Sequence, residues 1–225
     1  MKKRCALRAL ELIEDGMTIG LGGGSTISFL ISFIRDAKRD VQIVTPSYST
    51  AALCAAAGLT VIPTHLISQI DLAFDGCDEV DQSLNALKSG GAIHTKEKII
   101  ASLAKEYILL VDETKVFPSL RFNVPVALEV IPEARLYVAE EMKKLGAEVV
   151  ERTSSANDGI TMSDNGNLIM DAYFKPTPKL RELNAQLKQT VGVVETSLFY
   201  QIATKMIIAT ETTTKIIERD VENGI

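Results

Sequence analysis

In Phe74-Asp75-Gly76-Cys77-Asp78-Glu79-Val80-Asp81 a hydrophobic run ends in carboxylates, and a short loop later Lys88-Ser89-Gly90-Gly91-Ala92-Ile93-His94-Thr95-Lys96-Glu97-Lys98 supplies a lysine, a glycine pair and a glutamate. Open α/β sheets hold ligands at the carboxyl ends of their strands, so carboxylates at a strand terminus and a glutamate opening the next helix would converge on one crevice. Such a crevice suits proton transfer on a small polar substrate. Two plainer readings of the acids stand beside this one. Asp75, Asp78, Glu79 and Asp81 could form a metal cluster, although they lack the calcium-loop register and have no histidine among them, or they could be solvated loop acids. Glu97 could be only a first-turn acid favoured by the helix dipole. The second glycine loop, Lys88 to Gly91, tips the balance toward a site.

Upstream, Cys5, Ala6, Ala9, Leu10 and Ile13 recur at helical spacing and predict an opening helix that ends near Asp15-Gly16. Met17 to Leu21 reads as a buried strand running into Gly20-Leu21-Gly22-Gly23-Gly24-Ser25-Thr26, after which Ile27, Leu30, Ile31 and Ile34 mark a helix. A strand, a glycine loop with hydroxyls and a helix N-terminus present free N–H groups and a positive dipole end, which suits a phosphate. The loop lacks the lysine of a Walker motif, and G-x-G-x-x-G read from Gly20 meets Ser25 at the third glycine. No acidic residue closes the next strand, Val41 to Val44, which runs into Thr45-Pro46, so a dinucleotide fingerprint is poorly matched. A tight turn without a ligand is the alternative.

Ser47 to Ala57 predicts a helix, Thr60 to Ile62 and Ile70 to Phe74 strands, Ile99 to Ala104 the continuation of the helix carrying Glu97, and Tyr107 to Val111 another strand. From Asn123 the rhythm changes. Strands over Val124 to Val130, Glu148 to Arg152, Leu168 to Tyr173 and Val191 to Leu198, with helices from Pro132 and through Leu180, Leu183 and Leu187, give the βαββαβ order of a ferredoxin-like unit. Between them lie Ser154 to Gly159 and the turn Asp164-Asn165-Gly166-Asn167. Lys205 to Ala209 and Thr214 to Ile217 read as strands returning to the first unit. The expected fold is α/β: a Rossmann-like parallel-sheet domain over residues 1–122 plus 200–225, and a smaller ferredoxin-like domain over 123–199.

At 225 residues, 46% hydrophobic and 24% charged, the chain has the composition of a soluble globular protein. A formal net charge of -5 argues against general affinity for nucleic acid or a membrane surface, and no apolar run reaches the length of a membrane span. Cys5, Cys54 and Cys77 are too few and scattered for a disulfide framework or a metal site, which places the chain in a reducing, cytoplasmic compartment. His65 and His94, the two histidines, have no evident partner and read as structural.

The motif set resembles the ribose-5-phosphate isomerase type A family over nearly the whole chain. It is carried by Gly20 to Thr26, Asp75-Gly76-Cys77-Asp78-Glu79, Lys88 to Ile100, Glu129-Val130-Ile131-Pro132, Asp164-Asn165-Gly166-Asn167 and Gly192-Val193-Val194. The resemblance implies a homodimer or homotetramer that interconverts ribose 5-phosphate and ribulose 5-phosphate in the pentose phosphate pathway, with neither cofactor nor metal. It makes Glu97 the proton acceptor and matches substrate-binding segments to Gly23, Gly24, Ser25 and Thr26, to Asp75, Gly76, Cys77 and Asp78, to Lys88, Ser89, Gly90 and Gly91, and to Lys115. Gly23 stands where the family has threonine, Cys77 where it has alanine and Ser89 where it has glycine. The chain starts close to its first helix, without the short preceding segment common in the family, and Lys2 is a further phosphate candidate outside the matched set.

Moving a proton between adjacent carbons needs a base of raised pKa and a stabilised enediolate. Glu97 is expected to be that base and Lys88 to stabilise the charge, Asp75 and Asp78 to hold sugar hydroxyls, and the glycine loop to fix the phosphate. Asp78→Asn and Lys88→Ala are expected to cost turnover more than stability. A binding module that senses a sugar phosphate, another phosphosugar isomerase or deaminase, and more distantly a nicotinamide-dependent dehydrogenase are the rival readings.

Overall fold

The computed structural model of the chain describes residues 1–155, 157–176 and 179–219. In chain order it contains α1 (Lys2–Leu10), β1 (Thr18–Leu21), α2 (Ser25–Asp36), β2 (Gln42–Val44), α3 (Tyr48–Ala56), β3 (Thr60–Val61), β4 (Ile70–Asp75), β5 (Glu79–Asp81) and β6 (Ala86–Leu87). There follow α4 (His94–Leu103), β7 (Ala104–Asp112), β8 (Val116–Phe117), β9 (Val126–Val130), α5 (Arg135–Lys144), β10 (Glu148–Glu151) and a short hairpin, β11 (Thr153–Ser154) and β12 (Asn157–Ile160). The chain closes with β13 (Leu168–Tyr173), α6 (Leu180–Gln189), β14 (Val193–Thr196), β15 (Leu198–Phe199), β16 (Lys205–Ala209) and β17 (Thr214–Glu218).

Seven strands form one sheet in the order β17-β16-β7-β4-β1-β2-β3, parallel throughout except for β17 at the edge. Parallel strands need cover on both faces, and alternate residues supply it. Ile108, Leu110 and Ile207 pack with the apolar stripes of α1 and α2, whereas Tyr107, Leu109, Val111, Met206 and Ile208 pack with Ile100 and Ala101 of α4. The chain leaves β1 toward β2 on one side while β4 lies on the other, so the strand order reverses between β1 and β4. That switch point is where such a sheet opens a crevice.

A second, antiparallel sheet has the order β10-β13-β9-β14, the ferredoxin-like arrangement, with α5 and α6 on one face. Val126, Leu128 and Val130 of β9 point into the core beneath those helices. Glu129 points the other way, toward α4. The fold is therefore α/β, a Rossmann-like sheet with a smaller ferredoxin-like unit.

Local readings change in four places. The opening helix stops at Leu10 rather than near Asp15, and Leu12 and Ile13 close it with turn bonds to Ala9 and Leu10. The acidic stretch is not all loop, because Glu79–Asp81 is a strand of a small sheet, β15-β6-β5-β8. The expected single strand from Val191 to Leu198 breaks at Ser197, whose backbone and hydroxyl exchange hydrogen bonds with Ala127, and Leu198 and Phe199 then pair with β6. The stretch Ser154 to Gly159, apart from Ala156, which lies outside the described residues, enters the hairpin β11 and β12. Strands β16 and β17 join the seven-stranded sheet, and residues 220–225 of the expected return segment lie outside the described residues.

Candidate active site

At the switch point a cleft of about 890 Å³ opens, lined by Gly23, Gly24, Ser25 and Thr26 after β1, by Asp75, Gly76, Cys77 and Asp78 after β4, and by Lys88, Gly90, Gly91, Glu97 and Lys115. Ser89 is set apart from this group. Its hydroxyl donates to the Pro125 carbonyl, and its backbone N–H meets Asp78 Oδ2 at 2.8 Å.

The glycine loop is shaped by close approach. A Cβ on Gly22 would lie 1.9 Å from Asp75 Oδ1, so only glycine lets the two strand ends meet. Gly24 takes φ 94 and precedes α2 without any side-chain cap, which leaves the first-turn N–H groups of Ser25 and Thr26 for an anion. Thr50 Oγ1 donates to the Gly22 carbonyl at 2.8 Å and secures the loop from the side.

Opposite this loop sits a buried charge cluster. Lys88 Nζ lies 3.0 Å from Asp75 Oδ2 and 3.3 Å from Glu97 Oε1, and donates to the Gly76 carbonyl at 2.5 Å. One ammonium faces two carboxylates. Burial alone would lower the Lys88 pKa, but Asp75 and Glu97 outweigh it and hold the amine charged. Burial, and then the charge of Asp75, push Glu97 up to about 8 despite the offset from Lys88. Glu97 Oε2 has no hydrogen-bond partner among the described residues. A buried carboxyl of raised pKa with a free oxygen is equipped to exchange a proton near neutral pH.

The remaining acids separate by role. Asp78 lines the cleft and its Oδ2 accepts the N–H groups of Ser89 and Gly90, at 2.8 and 3.0 Å. Glu79 is buried and accepts the backbone N–H groups of Arg121, Phe122 and Asn123. Asp81 closes the turn to Asn85. Neither is solvated, and among the described residues no three His, Cys, Asp or Glu side chains are grouped to hold a metal ion. Lys115 Nζ donates to the Cys77 carbonyl at 2.8 Å, so two lysines clamp the Asp75 to Asp78 loop. Lys88 is only 5% exposed, so its removal would also unbalance the buried acids around it.

Several contributors were not singled out from the sequence. Tyr107 donates its hydroxyl to Asp75 Oδ2 at 3.2 Å and stacks on Phe199, beside which the ammoniums of Lys88 and Lys98 both lie. Asp164, from the ferredoxin-like unit, also lines the cleft, as does Lys2, the further phosphate candidate of the sequence analysis. A tyrosine in a buried strand is indistinguishable from core by pattern alone; only β7's position beside β4 reveals its partner. His94 is buried with Nε2 3.2 Å from the Glu195 carbonyl, and burial pushes its pKa down to about 4. His65 is exposed on a short 3-10 turn.

A glycine loop at a helix N-terminus that shares one cleft with a buried carboxylate and ammonium, on a Rossmann-like sheet joined to a ferredoxin-like unit, defines an α/β enzyme acting on a small molecule. The family model for ribose 5-phosphate isomerase A (phosphoriboisomerase A) matches residues 42–213. The chain belongs to that family. It is 40% identical to the ribose-5-phosphate isomerase A of Pyrococcus abyssi, over 97% of this chain and 98% of that one. With the enzyme of Methanothermobacter thermautotrophicus it shares 39%, over 96% and 97%. Among solved structures it is similar to ribose 5-phosphate isomerase A from Methanocaldococcus jannaschii, with TM-score 0.90, 32% identity and coverage of 96% and 97%. It is also similar to a D-ribose-5-phosphate isomerase in complex with phospho-erythronic acid, with TM-score 0.92, 36% identity and 97% of both chains covered.

Proposed function

We propose that this chain interconverts D-ribose 5-phosphate and D-ribulose 5-phosphate through an enediolate, with Glu97 as the base. The observation that carries the reading is Glu97 itself: a buried carboxyl with pKa raised to about 8 and an unpartnered Oε2, 3.3 Å from the Lys88 ammonium, in a cleft that faces an anion loop. Glu97 takes the proton from C2 of the open-chain aldose and returns it to C1, while the proton of the C2 hydroxyl passes to the C1 oxygen. Lys88 balances the negative charge that builds on oxygen, and it does so from a geometry already set, so no reorganisation is needed at the moment of reaction.

Asp75 and Asp78 accept sugar hydroxyls, and one of them assists ring opening. Ser25, Thr26 and the loop N–H groups, with Gly23 and Gly24 allowing close approach, hold the phosphate, while Gly76, Cys77, Gly90 and Gly91 wall the sugar site and Lys115 fixes its loop. Binding energy at the remote phosphate aligns the reacting carbons. The fit of a base, an ammonium and a phosphate loop in one cleft favours isomerisation over sensing, since a sensor has no use for a buried proton acceptor.

In the same proposal residues 1–122 with 200–225 form the catalytic domain and 123–199 a smaller domain that walls the cleft through Asp164. The enzyme works in the cytoplasm as a homodimer or homotetramer, in the pentose phosphate pathway. No helix among the described residues is long and apolar enough to cross a membrane.

The test is ketopentose formation from ribose 5-phosphate by the purified chain, with and without a metal chelator, beside Glu97→Gln. Chelator-insensitive turnover that falls by about 10²-fold or more in the variant is expected, because the amide keeps the shape and cannot accept the proton. Saturable binding without turnover would favour the sensing module, and full activity in Glu97→Gln would move the base elsewhere.

A further inference from the structure

Glu97 sits in the first turn of α4, and its neighbours in that turn all reach into the segment 123–199. His94 approaches the Glu195 carbonyl, Thr95 Oγ1 donates to Glu129 Oε2, and Lys96 Nζ pairs with Asp164 at 2.6 Å. Lys98 Nζ meets Glu195 Oε1 at 2.8 Å and the carbonyls of Thr196 and Leu198 at 2.6 and 3.0 Å. Of these five residues only Glu97 lines the cleft. The base is thus aimed by a turn whose other side chains are fastened to the ferredoxin-like unit.

Glu129 is the centre of that fastening. It is 1% exposed, and besides Thr95 it receives Ser163 Oγ at 2.7 Å, Asn165 Nδ2 at 3.0 Å and Asn167 Nδ2 at 2.7 Å, all on Oε1. Burial opposes its ionisation, but the four donors outweigh burial and hold its pKa below the usual carboxylate range. The turn it gathers, 163–167, carries Asp164 to the cleft wall and to Lys96. Glu129 itself does not line the cleft. A carboxylate that takes donors from the base-bearing helix on one oxygen and from a cleft-wall turn on the other locks the two together.

We propose that Glu129 is a positioning residue for the isomerisation: its carboxylate ties Thr95 of α4 to the 163–167 turn and so sets the angle at which Glu97 meets the substrate. The inference rests on the assignment of Glu97 as the base. A glutamine at 129 offers one acceptor and presents an NH₂ to groups that now donate, so the link loosens without loss of volume. Misplacement of a catalytic group by about 1 Å can cost on the order of 10²-fold in rate, which sets the scale of the effect.

The experiment compares wild type, Glu129→Gln, Thr95→Val and the double variant for kcat and KM with ribose 5-phosphate, and for Tm. In Glu129→Gln kcat falls by about ten- to a hundredfold while KM changes by less than about threefold, since remote positioning acts on the chemical step. Thr95→Val, which cuts the same link from the helix side, lowers kcat in the same sense, and the double variant is no slower than Glu129→Gln alone. A merely structural role would lower Tm and leave kcat of the folded protein at the wild-type value; that result in both single variants overturns the proposal. If Glu129→Gln does not fold, wild-type kcat in Thr95→Val overturns it. Loss of turnover in Glu97→Gln, with wild-type kcat in Glu129→Gln and Thr95→Val, rejects this inference alone. An inactive wild type or an active Glu97→Gln rejects the assignment of the base, and this inference with it.

Discussion

Lys88 Nζ stands 3.3 Å from Glu97 Oε1 with the two side chains only 5% and 7% exposed, yet the ammonium is nearer to Asp75, at 3.0 Å. A cation shared in this way compensates one carboxylate and leaves the other partly uncompensated in a buried site. Glu97, pushed up to about 8, is the one left short.

A pH profile follows directly. The base works unprotonated, so kcat/KM, which reports the free enzyme, is expected to rise with pH through an apparent pKa near 8. A flat profile between pH 6 and pH 9 would reject Glu97 as the titrating base. Stability runs the opposite way. Glu97 has a folded pKa above its unfolded one, so the folded state binds the extra proton; the contribution is full below about 4.5 and lost as pH rises through about 8. Urea titrations of wild type and Glu97→Gln are therefore expected to diverge between pH 5 and pH 8, with the variant losing less stability.

Removing the shared cation exposes the same imbalance. Lys88→Ala leaves Asp75 and Glu97 buried together, and breaking such a cluster typically costs about 3 to 5 kcal/mol. The loss is expected to be larger at pH 8 than at pH 5, because Glu97 can protonate and relieve the repulsion at the lower pH. Equal midpoints in urea for variant and wild type at pH 8 would contradict the arrangement. Activity should vanish alongside, so turnover alone cannot separate the two roles of this lysine.

The strand ends, the glycine loop and the first turn of α4 were legible because each is a local signal: a hydrophobic run that stops, a glycine where the backbone must come close, a carboxylate at a helix start. Their convergence also followed from one rule, that parallel sheets open at the switch point. What stayed hidden depends on contacts across the sequence. Glu79 and Asp78 are adjacent acids in print, but one feeds three backbone N–H groups about 43 residues away and the other faces the cleft. Ser197 interrupts a pattern that reads as continuous strand because it exchanges hydrogen bonds with Ala127. Glu129 looks like an alternating strand residue until the face it occupies is seen to be covered by α4 rather than water.

Glu79 gives the clearest contrast between an acid that builds and one that reacts. Its carboxylate holds the chain at Phe122, which takes φ 56, an uncommon conformation for a bulky side chain. Glu79→Ala leaves the buried Phe122 N–H and the half-buried N–H groups of Arg121 and Asn123 without their acceptor and is expected to cost about 1 to 3 kcal/mol, the cost of a buried donor left unmet. Its folded fraction at low temperature should keep the KM of the wild type. A variant with wild-type stability and altered KM would move Glu79 from scaffold to site.

Gly23 offers the opposite experiment, a gain. It has no left-handed φ, and a Cβ built on it meets only Ser47 Oγ, at 3.9 Å, so a Cβ can be added there without displacing anything. Gly23→Thr adds a hydroxyl beside the N–H groups of Ser25 and Thr26 where the phosphate is proposed to sit. A hydrogen bond to a charged group is worth about 1.5 to 3 kcal/mol when well made, so KM for ribose 5-phosphate is expected to fall by about tenfold or more with kcat little changed. Stability should hold or rise slightly, because replacing glycine restricts the unfolded chain. Gly24→Thr is the control: at φ 94 the same side chain is strained, and Tm should drop. If Gly23→Thr folds normally and KM for the sugar phosphate does not move, the hydroxyl finds no anion there, and the phosphate must bind elsewhere along the cleft, which Lys2 also lines.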